Sequence, residues 1–419
     1  MARHTVLATL APVPSDEIFD LNRAYARDTF PQKVSLGVGV YRTDEGKPWP
    51  LPVVEKVEKK LLEENDPSRH EYTAIEGDIP FLELARDLMF GFDGKNASAE
   101  QEEAKKRIAS VQAVAGTGAN HLGGLFLATH MKPKNVWLSD PSWANHMTLW
   151  EMAGVPRKTY PYYEPKTRSL DFTGMMATLE AEAQEGDVVL LHACAHNPTG
   201  LDPTKEQWME IADLCERKQL FPFFDSAYQG FASGSVVEDA WAVRYFFQHK
   251  PHMEMCVAQS FSKNFGLYGQ RVGAFHYVTT VAGVDIRDTV VNNLCHLIRG
   301  EFSMGPRGGC SIVKKVLTSD ELTAEWYEDL KVMSSRIKAM RQALYKELVK
   351  LQTPGTWEHI VNQNGMFSYT GLTPAQVTAL KEKYHVYLLQ SGRASISGLS
   401  EKNVAYVAQA IDDVVRNVN

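Results

Sequence analysis

The chain has 419 residues, more than one simple core usually takes, so two domains, or one large and one small, are the prior. Its 44% hydrophobic and 23% charged residues are ordinary globular proportions, and no run has the apolar length of a membrane span. A net charge of -7 with mixed signs excludes the basic stripe of a nucleic-acid binder but leaves room for local basic pockets that hold small anions.

The first ten residues carry one arginine and a short apolar patch, without a full apolar core or a clear cleavage site, so no secretory signal is expected. Further along, apolar runs at 110–115, 135–140, 187–192, 220–225, 255–260 and 272–278 predict strands. Amphipathic stretches between them, such as 204–219, predict helices. Strand–helix alternation of this kind implies an α/β fold, a mostly parallel central sheet covered by helices on both faces. Ligands of such sheets bind beyond the carboxyl ends of the strands. Polar motifs stand at those ends: Gly116-Thr117-Gly118, His196-Asn197-Pro198-Thr199-Gly200, Asp225-Ser226-Ala227-Tyr228, and Ser260 to Lys263. Near Ser319 the pattern changes. Residues 320–350 read as one long helix, followed by short strand candidates at 366–370 and 386–390 and a helix from about 401 to 416, a smaller α+β unit. The expected division is an N-terminal arm at 1–15, a small domain built from 16–50 and 320–419, and a large domain at 51–319. The last three residues, Asn417-Val418-Asn419, carry no targeting tripeptide.

Gly116-Thr117-Gly118 lies between a strand and a helix beginning near Ala119, where backbone N–H groups and close-approach glycines make an anion site. As a dinucleotide fingerprint it lacks its third glycine, His121 standing there, so a nicotinamide-dependent oxidoreductase is the weaker reading of that turn. With Ser260, Ser262 and Arg271 it forms a coherent phosphate cup, since an arginine can clamp phosphate through two N–H groups.

Lys263 follows an apolar strand and is flanked by those two hydroxyls. A desolvated lysine loses its proton more easily, and a neutral amine is what Schiff-base chemistry needs. A lysine on a solvated loop is the bland alternative. Asp225 closes the run Leu220-Phe221-Pro222-Phe223-Phe224, where a carboxylate is costly without a partner. It either caps the following turn or faces a cationic ring nitrogen and so preserves an electron sink. Tyr228 and Asn197 could donate to an oxygen on that ring, although Asn197-Pro198 also reads simply as a tight turn. Trp143 could stack on a planar ring or belong to the core. Arg299 and Arg393 stand in turn-like settings and, if both face a cavity, can recognise two carboxylates.

His192-Ala193-Cys194-Ala195-His196 invites a metal reading, but it continues an apolar strand and has no second ligand pair at a recognisable spacing, so no metal is expected. The five cysteines are odd in number, scattered and without CxxC spacing, which fits a reducing compartment.

Taken together, Leu36-Gly37-Val38-Gly39-Val40-Tyr41-Arg42, Glu71-Tyr72, the segment from His192 to Gly200, that from Phe223 to Gly234, that from Gln259 to Leu267, and Ser391-Gly392-Arg393 resemble the aspartate aminotransferases of the class I pyridoxal-phosphate-dependent family. The resemblance runs in order from about Asp16 to the C-terminus. It implies the type I pyridoxal-phosphate fold, a cytoplasmic homodimer with active sites shared across its interface, and interconversion of L-aspartate and 2-oxoglutarate with oxaloacetate and L-glutamate. By the same resemblance Lys263 would form the Schiff base with pyridoxal 5'-phosphate and move the proton in a ping-pong cycle. Asp225 would hold the ring nitrogen, Tyr228 and Asn197 the ring oxygen, and Trp143 the ring face, with His146 and His192 behind. Gly116, Thr117, Ser260, Ser262 and Arg271 would bind the phosphate, joined by Tyr72 of a second subunit. Arg393, with Gly39 closing over it, would take the substrate α-carboxylate, and Arg299 of a second subunit the side-chain carboxylate. The chain departs from the family where Ser303-Met304-Gly305-Pro306 replaces the usual Ser-Asn-Pro-Pro and Tyr72-Thr73-Ala74-Ile75 the usual Tyr-Leu-Pro-Ile. Both segments are expected beside the substrate side chain, which makes a broad-specificity or aromatic amino-acid aminotransferase the alternative.

Overall fold

A seven-stranded sheet organises the computed structural model, which describes residues 7–13, 15–94 and 96–418. Its strands are β1 (Ile108–Val114), β2 (Val136–Asp140), β3 (Arg157–Pro161), β4 (Val188–His192), β5 (Phe221–Ser226), β6 (Met255–Ser260) and β7 (Val272–Val278). They lie in the order β1-β7-β6-β5-β4-β2-β3. All neighbours are parallel except β7, which runs antiparallel to both β1 and β6.

The central strands are apolar along their whole length because both faces are covered. Val188, Leu190, Phe223, Ala258 and Phe275 pack on one side with Leu122, Phe126 and Trp150. Val189, Leu191, Phe224 and Val257 pack on the other with Trp208, Ile211 and Phe246. Adjacent residues of one strand thus enter opposite layers, the period-two consequence of the pleat. Pairing of His192 with Asp225, and of Gly273 with Ser260, aligns the ends of β4, β5 and β6 along one rim. Because β7 is reversed, its amino end, preceded by Arg271, reaches that same rim, next to Val114 at the end of β1.

The helices include α1 (Glu17–Arg27), α2 (Ala115–His130), α3 (Lys205–Arg217), α4 (Arg287–Glu301), α5 (Asp320–Lys350) and α6 (Val404–Asn417). α3 starts at a full capping box, Thr204 with Gln207. α5 is 31 residues long and buries Leu322, Trp326, Leu330, Met333, Ile337, Met340, Leu344 and Leu348, a helical stripe on one face. Trp326 stacks on Phe265 at 4.4 Å and its Nε1 donates to Asn264 O at 2.7 Å, so this helix grips the loop that carries Lys263. Two short pairings lie outside the main sheet: Val34–Ser35 with Val386–Tyr387, and Phe367–Tyr369 with Arg393–Ser395. Among the described residues no helix is long and apolar enough to cross a membrane.

The six expected strands of the main sheet are found within about two residues, 255–260 and 272–278 coinciding with β6 and β7, whereas the strand expected at 386–390 stops at Tyr387. Two differences have physical causes. β3 was not expected, because an edge strand bearing Arg157, Lys158 and Thr159 exposes most of its side chains and shows no apolar run. The helix expected near Ala119 starts at Ala115, so Gly116 to Gly118 lie in its first turn and not in a preceding loop. Residues 1–6 and 14 of the expected arm, and Asn419 of the C-terminal tripeptide, lie outside the described residues.

The interior makes stability depend on pH. Burial holds His192 and His276 down to about 3 and His359 to about 4, and keeps His196 well below its usual value. The unfolded chain takes up these protons below about 6.5 while the folded chain refuses them, so stability falls as pH drops through that window. Burial pushes Asp239 up to about 6 and also raises Asp87, Asp202 and Asp329, which acts in the opposite sense, whereas the four histidines take effect already from about 6.5. Urea unfolding at pH 7 and pH 5 is therefore expected to give lower stability at pH 5, by about 1.4 kcal/mol per pH unit for each histidine left unopposed. A flat profile would contradict this assignment.

Candidate active site

At the rim where β1, β4, β5 and β6 end and β7 begins, a cavity of about 200 Å³ opens. It is lined by Gly39, Gly116, Thr117, Trp143, Asn197, Asp225, Tyr228, Ser260, Ser262, Lys263, Arg271 and Arg393, twelve of the fourteen residues expected to touch cofactor or substrate. The two others, Tyr72 and Arg299, are exposed and line no part of it. They lie near one another instead. Arg299 Nη1 donates to the Ser303 hydroxyl, Thr73 N approaches Met304 Sδ at 3.3 Å, and Arg307 Nη2 reaches Tyr72 O at 3.5 Å.

One end of the cavity is an anion cup. Ala115 takes φ +55° directly after β1, turning the chain so that the first N–H groups of α2 face the opening. Arg271, at φ +55°, makes the matching turn into β7. A methyl group on Gly273 would sit 2.7 Å from the Ala115 carbonyl, so only glycine lets these two turns meet. Ser260 and Ser262 complete the cup, Ser262 N donating to Ser260 Oγ at 3.2 Å. A doubly charged phosphate suits this set of donors.

Across the cavity Asp225 is the penultimate residue of β5, only 8% exposed. Burial alone would raise its pKa, but the hydrogen bond from His146 Nε2 to Asp225 Oδ2 at 2.9 Å, helped by the neighbouring His146 and His192 rings, outweighs it and holds the carboxylate below its usual range. That bond is the last of a row. Asn197 N can only donate, and it points at His192 Nδ1 at 3.3 Å. Neutral His192 therefore carries its proton on Nε2, which faces Ser142 Oγ at 3.2 Å. The Ser142 hydroxyl in turn faces His146 Nδ1 at 2.9 Å, leaving His146 Nε2–H for Asp225. Trp143 lies edge to face with His146 at 5.1 Å, in the cavity wall.

Between cup and carboxylate stands Lys263, its Nζ 5.3 Å from the Tyr228 ring centre. Burial lowers its pKa. Asp225 opposes that shift, and Arg271 and Arg393 reinforce it. Burial raises the Tyr228 phenol strongly, so it stays a donor. Arg393, 4% exposed, is stacked on Phe367 at 4.1 Å and pushed down by burial to about 10. Its Nη2 donates to Gly37 O at 2.7 Å and its Nη1 to Asn197 Oδ1 at 3.4 Å, while its buried Nε has no partner among the described residues. A buried guanidinium with an unused N–H is a seat for a carboxylate. Gly39 passes over it so closely that a methyl group there would meet Phe367 Cζ at 2.7 Å.

Among the cavity-wall residues that sequence reasoning missed are Ile18, Asn120, Cys194, Tyr268 and Phe367. Asn120 carried a local signal, one turn after Gly116, whose carbonyl its Nδ2 takes at 2.9 Å. The others come from distant segments, and Ser142, the middle of the proton row, is marked by nothing in the sequence.

A family model described as aminotransferase class I and II matches residues 31–411. The chain is 62% identical to an L-tyrosine:2-oxoglutarate aminotransferase of Aspergillus ustus, over 98% of this chain and 78% of that protein. It superposes on the aspartate aminotransferase of Saccharomyces cerevisiae cytoplasm with a TM-score of 0.93 at 45% identity, covering 99% of both chains. It superposes on an aromatic-amino-acid aminotransferase of Burkholderia pseudomallei, covalently bound to pyridoxal phosphate, with a TM-score of 0.92 at 39% identity, over 98% of this chain and 100% of that one.

Proposed function

This chain belongs to the class I and II aminotransferase family, and from that membership we propose that it moves the amino group of L-aspartate to 2-oxoglutarate, giving oxaloacetate and L-glutamate. The observation that carries the reading is the convergence of an amine (Lys263), an anionic carboxylate (Asp225) and a carboxylate seat (Arg393) in one cavity beside an anion cup.

The donor set fits pyridoxal 5'-phosphate: a cup for a dianion, a carboxylate for a ring nitrogen, a flat indole for a ring face, and a lysine between them. Gly116, Thr117, Ser260, Ser262 and Arg271 would hold its phosphate, Asp225 its ring nitrogen, Tyr228 and Asn197 its ring oxygen, and Trp143 its face. When bound, this group supplies an aldehyde that takes up amines and a ring that accepts electrons as the substrate Cα–H bond weakens. The chain's own part is positional. Arg393 orients the substrate by its α-carboxylate, Gly39 excludes water above it, and Lys263, kept short of protons by burial, takes the proton from Cα and returns it. Asp225, fed by the row from Asn197, keeps its negative charge throughout.

Tyr72 and Arg299 are read as contributions to the site of a second copy in a homodimer, supported by their shared exposure on one patch away from the chain's own cavity. The division into an arm (1–15), a small domain (16–50 and 320–419) and a large domain (51–319) accompanies this reading. Cytoplasmic placement is supported by the yeast relative and by cysteines that are all free, four of them buried.

A second reading keeps the acceptor and changes the donor. The 62% identity to a tyrosine:2-oxoglutarate enzyme, together with Met304 directly after Ser303, the partner of Arg299, favours L-tyrosine as a further substrate. Rates with aspartate and with tyrosine, each against 2-oxoglutarate, decide between them: aspartate is expected to be faster, and the reverse ranking would replace the first reading by the second. The carboxylate seat has its own test. Arg393→Lys keeps a charge but loses the planar fork, so KM for amino and oxo acids alike is expected to rise roughly 10–100-fold. Unchanged KM values would move the α-carboxylate elsewhere.

A further inference from the structure

The backbone strip from Gly37 to Tyr41, which carries Gly39 over the cavity, is tied at three points. Arg393 Nη2 donates to Gly37 O at 2.7 Å, the Ser397 hydroxyl donates to Val40 O at 2.7 Å, and Tyr41 N donates to the Tyr268 hydroxyl at 3.0 Å. The first two ties come from the 393–397 segment. The third comes from the lysine loop, five residues after Lys263. Tyr268 is itself held at its backbone, where Arg271 Nη1 donates to its carbonyl at 2.9 Å. One residue thus touches the strip above the carboxylate seat, the loop of the amine and the arginine of the anion cup, and it lines the cavity that joins them. Burial pushes the phenol up to about 12, so at neutral pH it keeps its proton. Its oxygen already accepts from Tyr41, and among the described residues its own proton goes to no protein group.

We propose that Tyr268 is the latch between the lysine loop and the Gly39 strip, a positioning residue that sets how closely the strip lies over Arg393 and so how tightly carboxylate substrates are held. The ring is wedged between fixed points, but the hydroxyl is what meets the strip. Any turn of Arg271 toward a bound phosphate also releases or shifts the Tyr268 carbonyl, so a filled anion cup is felt at the strip through this residue. The inference rests on the transamination reading only for its kinetic arm.

Tyr268→Phe removes the oxygen and keeps the ring. In the holoenzyme, amide exchange across residues 37–41 is expected to speed up roughly fivefold, the loss of one hydrogen bond. KM for both amino acid and oxo acid is expected to rise by a similar, roughly fivefold factor, with kcat within about twofold of the parent and an unchanged melting temperature. Parent-like exchange and KM overturn the latch, as does a fall in kcat at constant KM. If Tyr268→Phe behaves as the parent while Tyr268→Leu is impaired, the residue acts by packing and the latch is again overturned. Should the parent turn over neither aspartate nor tyrosine, the transamination reading fails, while the exchange measurement still decides the latch.

Discussion

Replacing Lys263 by alanine is expected to lower turnover by roughly 10²–10⁴-fold, the span usually attributed to a positioned proton-transfer group. The reason lies in what surrounds the amine. Burial and the charges of Arg271 and Arg393 favour its neutral form, and only Asp225 pulls the other way. A group so placed gives up its proton more readily than an ordinary solvated lysine and is the better acceptor for it. Lys263→Arg should be as inactive as the alanine variant, because a guanidinium holds its proton. The loss should not come from unfolding: removing a desolvated amine crowded by two cations is expected to leave the melting temperature unchanged or higher. Absorbance of the purified variant checks that cofactor still binds, and turnover at the parent rate would remove Lys263 from the reaction.

The second large effect is expected at Arg299. Arg299→Leu should depress kcat/KM for aspartate by about 10²-fold, the loss of a charge-assisted paired bond of about 3 kcal/mol, and should leave tyrosine nearly untouched. Equal losses on both substrates would sink this role. Its placement gives a second check. In its own chain the guanidinium bonds Ser303 and stays exposed, outside the cavity that holds Lys263 and Arg393. If it serves a second copy, then Lys263→Ala chains and Arg299→Leu chains, each poor on aspartate alone, should recover activity when unfolded and refolded together. Mixing without recovery would return Arg299 to the role of a solvated surface residue.

Much of the architecture was legible because burial on both faces writes an uninterrupted apolar run, as in Val188–His192 and Met255–Ser260. β3 escaped notice for the converse reason, since an edge strand with exposed Arg157 and Lys158 needs no apolar pattern. The sequence places the start of α2 four residues late because glycines read as loop, whereas Gly116 lets the helix begin close against Ser260 of β6. Site residues with chemistry of their own, such as Lys263, Asp225 and Arg393, stood out at strand ends or turns. Residues that act through others did not. Tyr268 and Ser142 gain their significance from Tyr41 and from two histidines, partners between 4 and 227 positions away, and such distances leave no periodicity to read.

The bonded row from Asn197 to Asp225 has a consequence for the working range of the enzyme. Its direction is set at the far end by a backbone amide, a group that neither titrates nor rotates, and its first imidazole gains a proton only near about 3. The charge facing the cavity from Asp225 is therefore insulated from the medium: acidifying the solution changes surface groups long before it reaches this one. Loss of activity on mild acidification should then be traced to groups outside the row from Asn197 to Asp225, with the charge of Asp225 still in place.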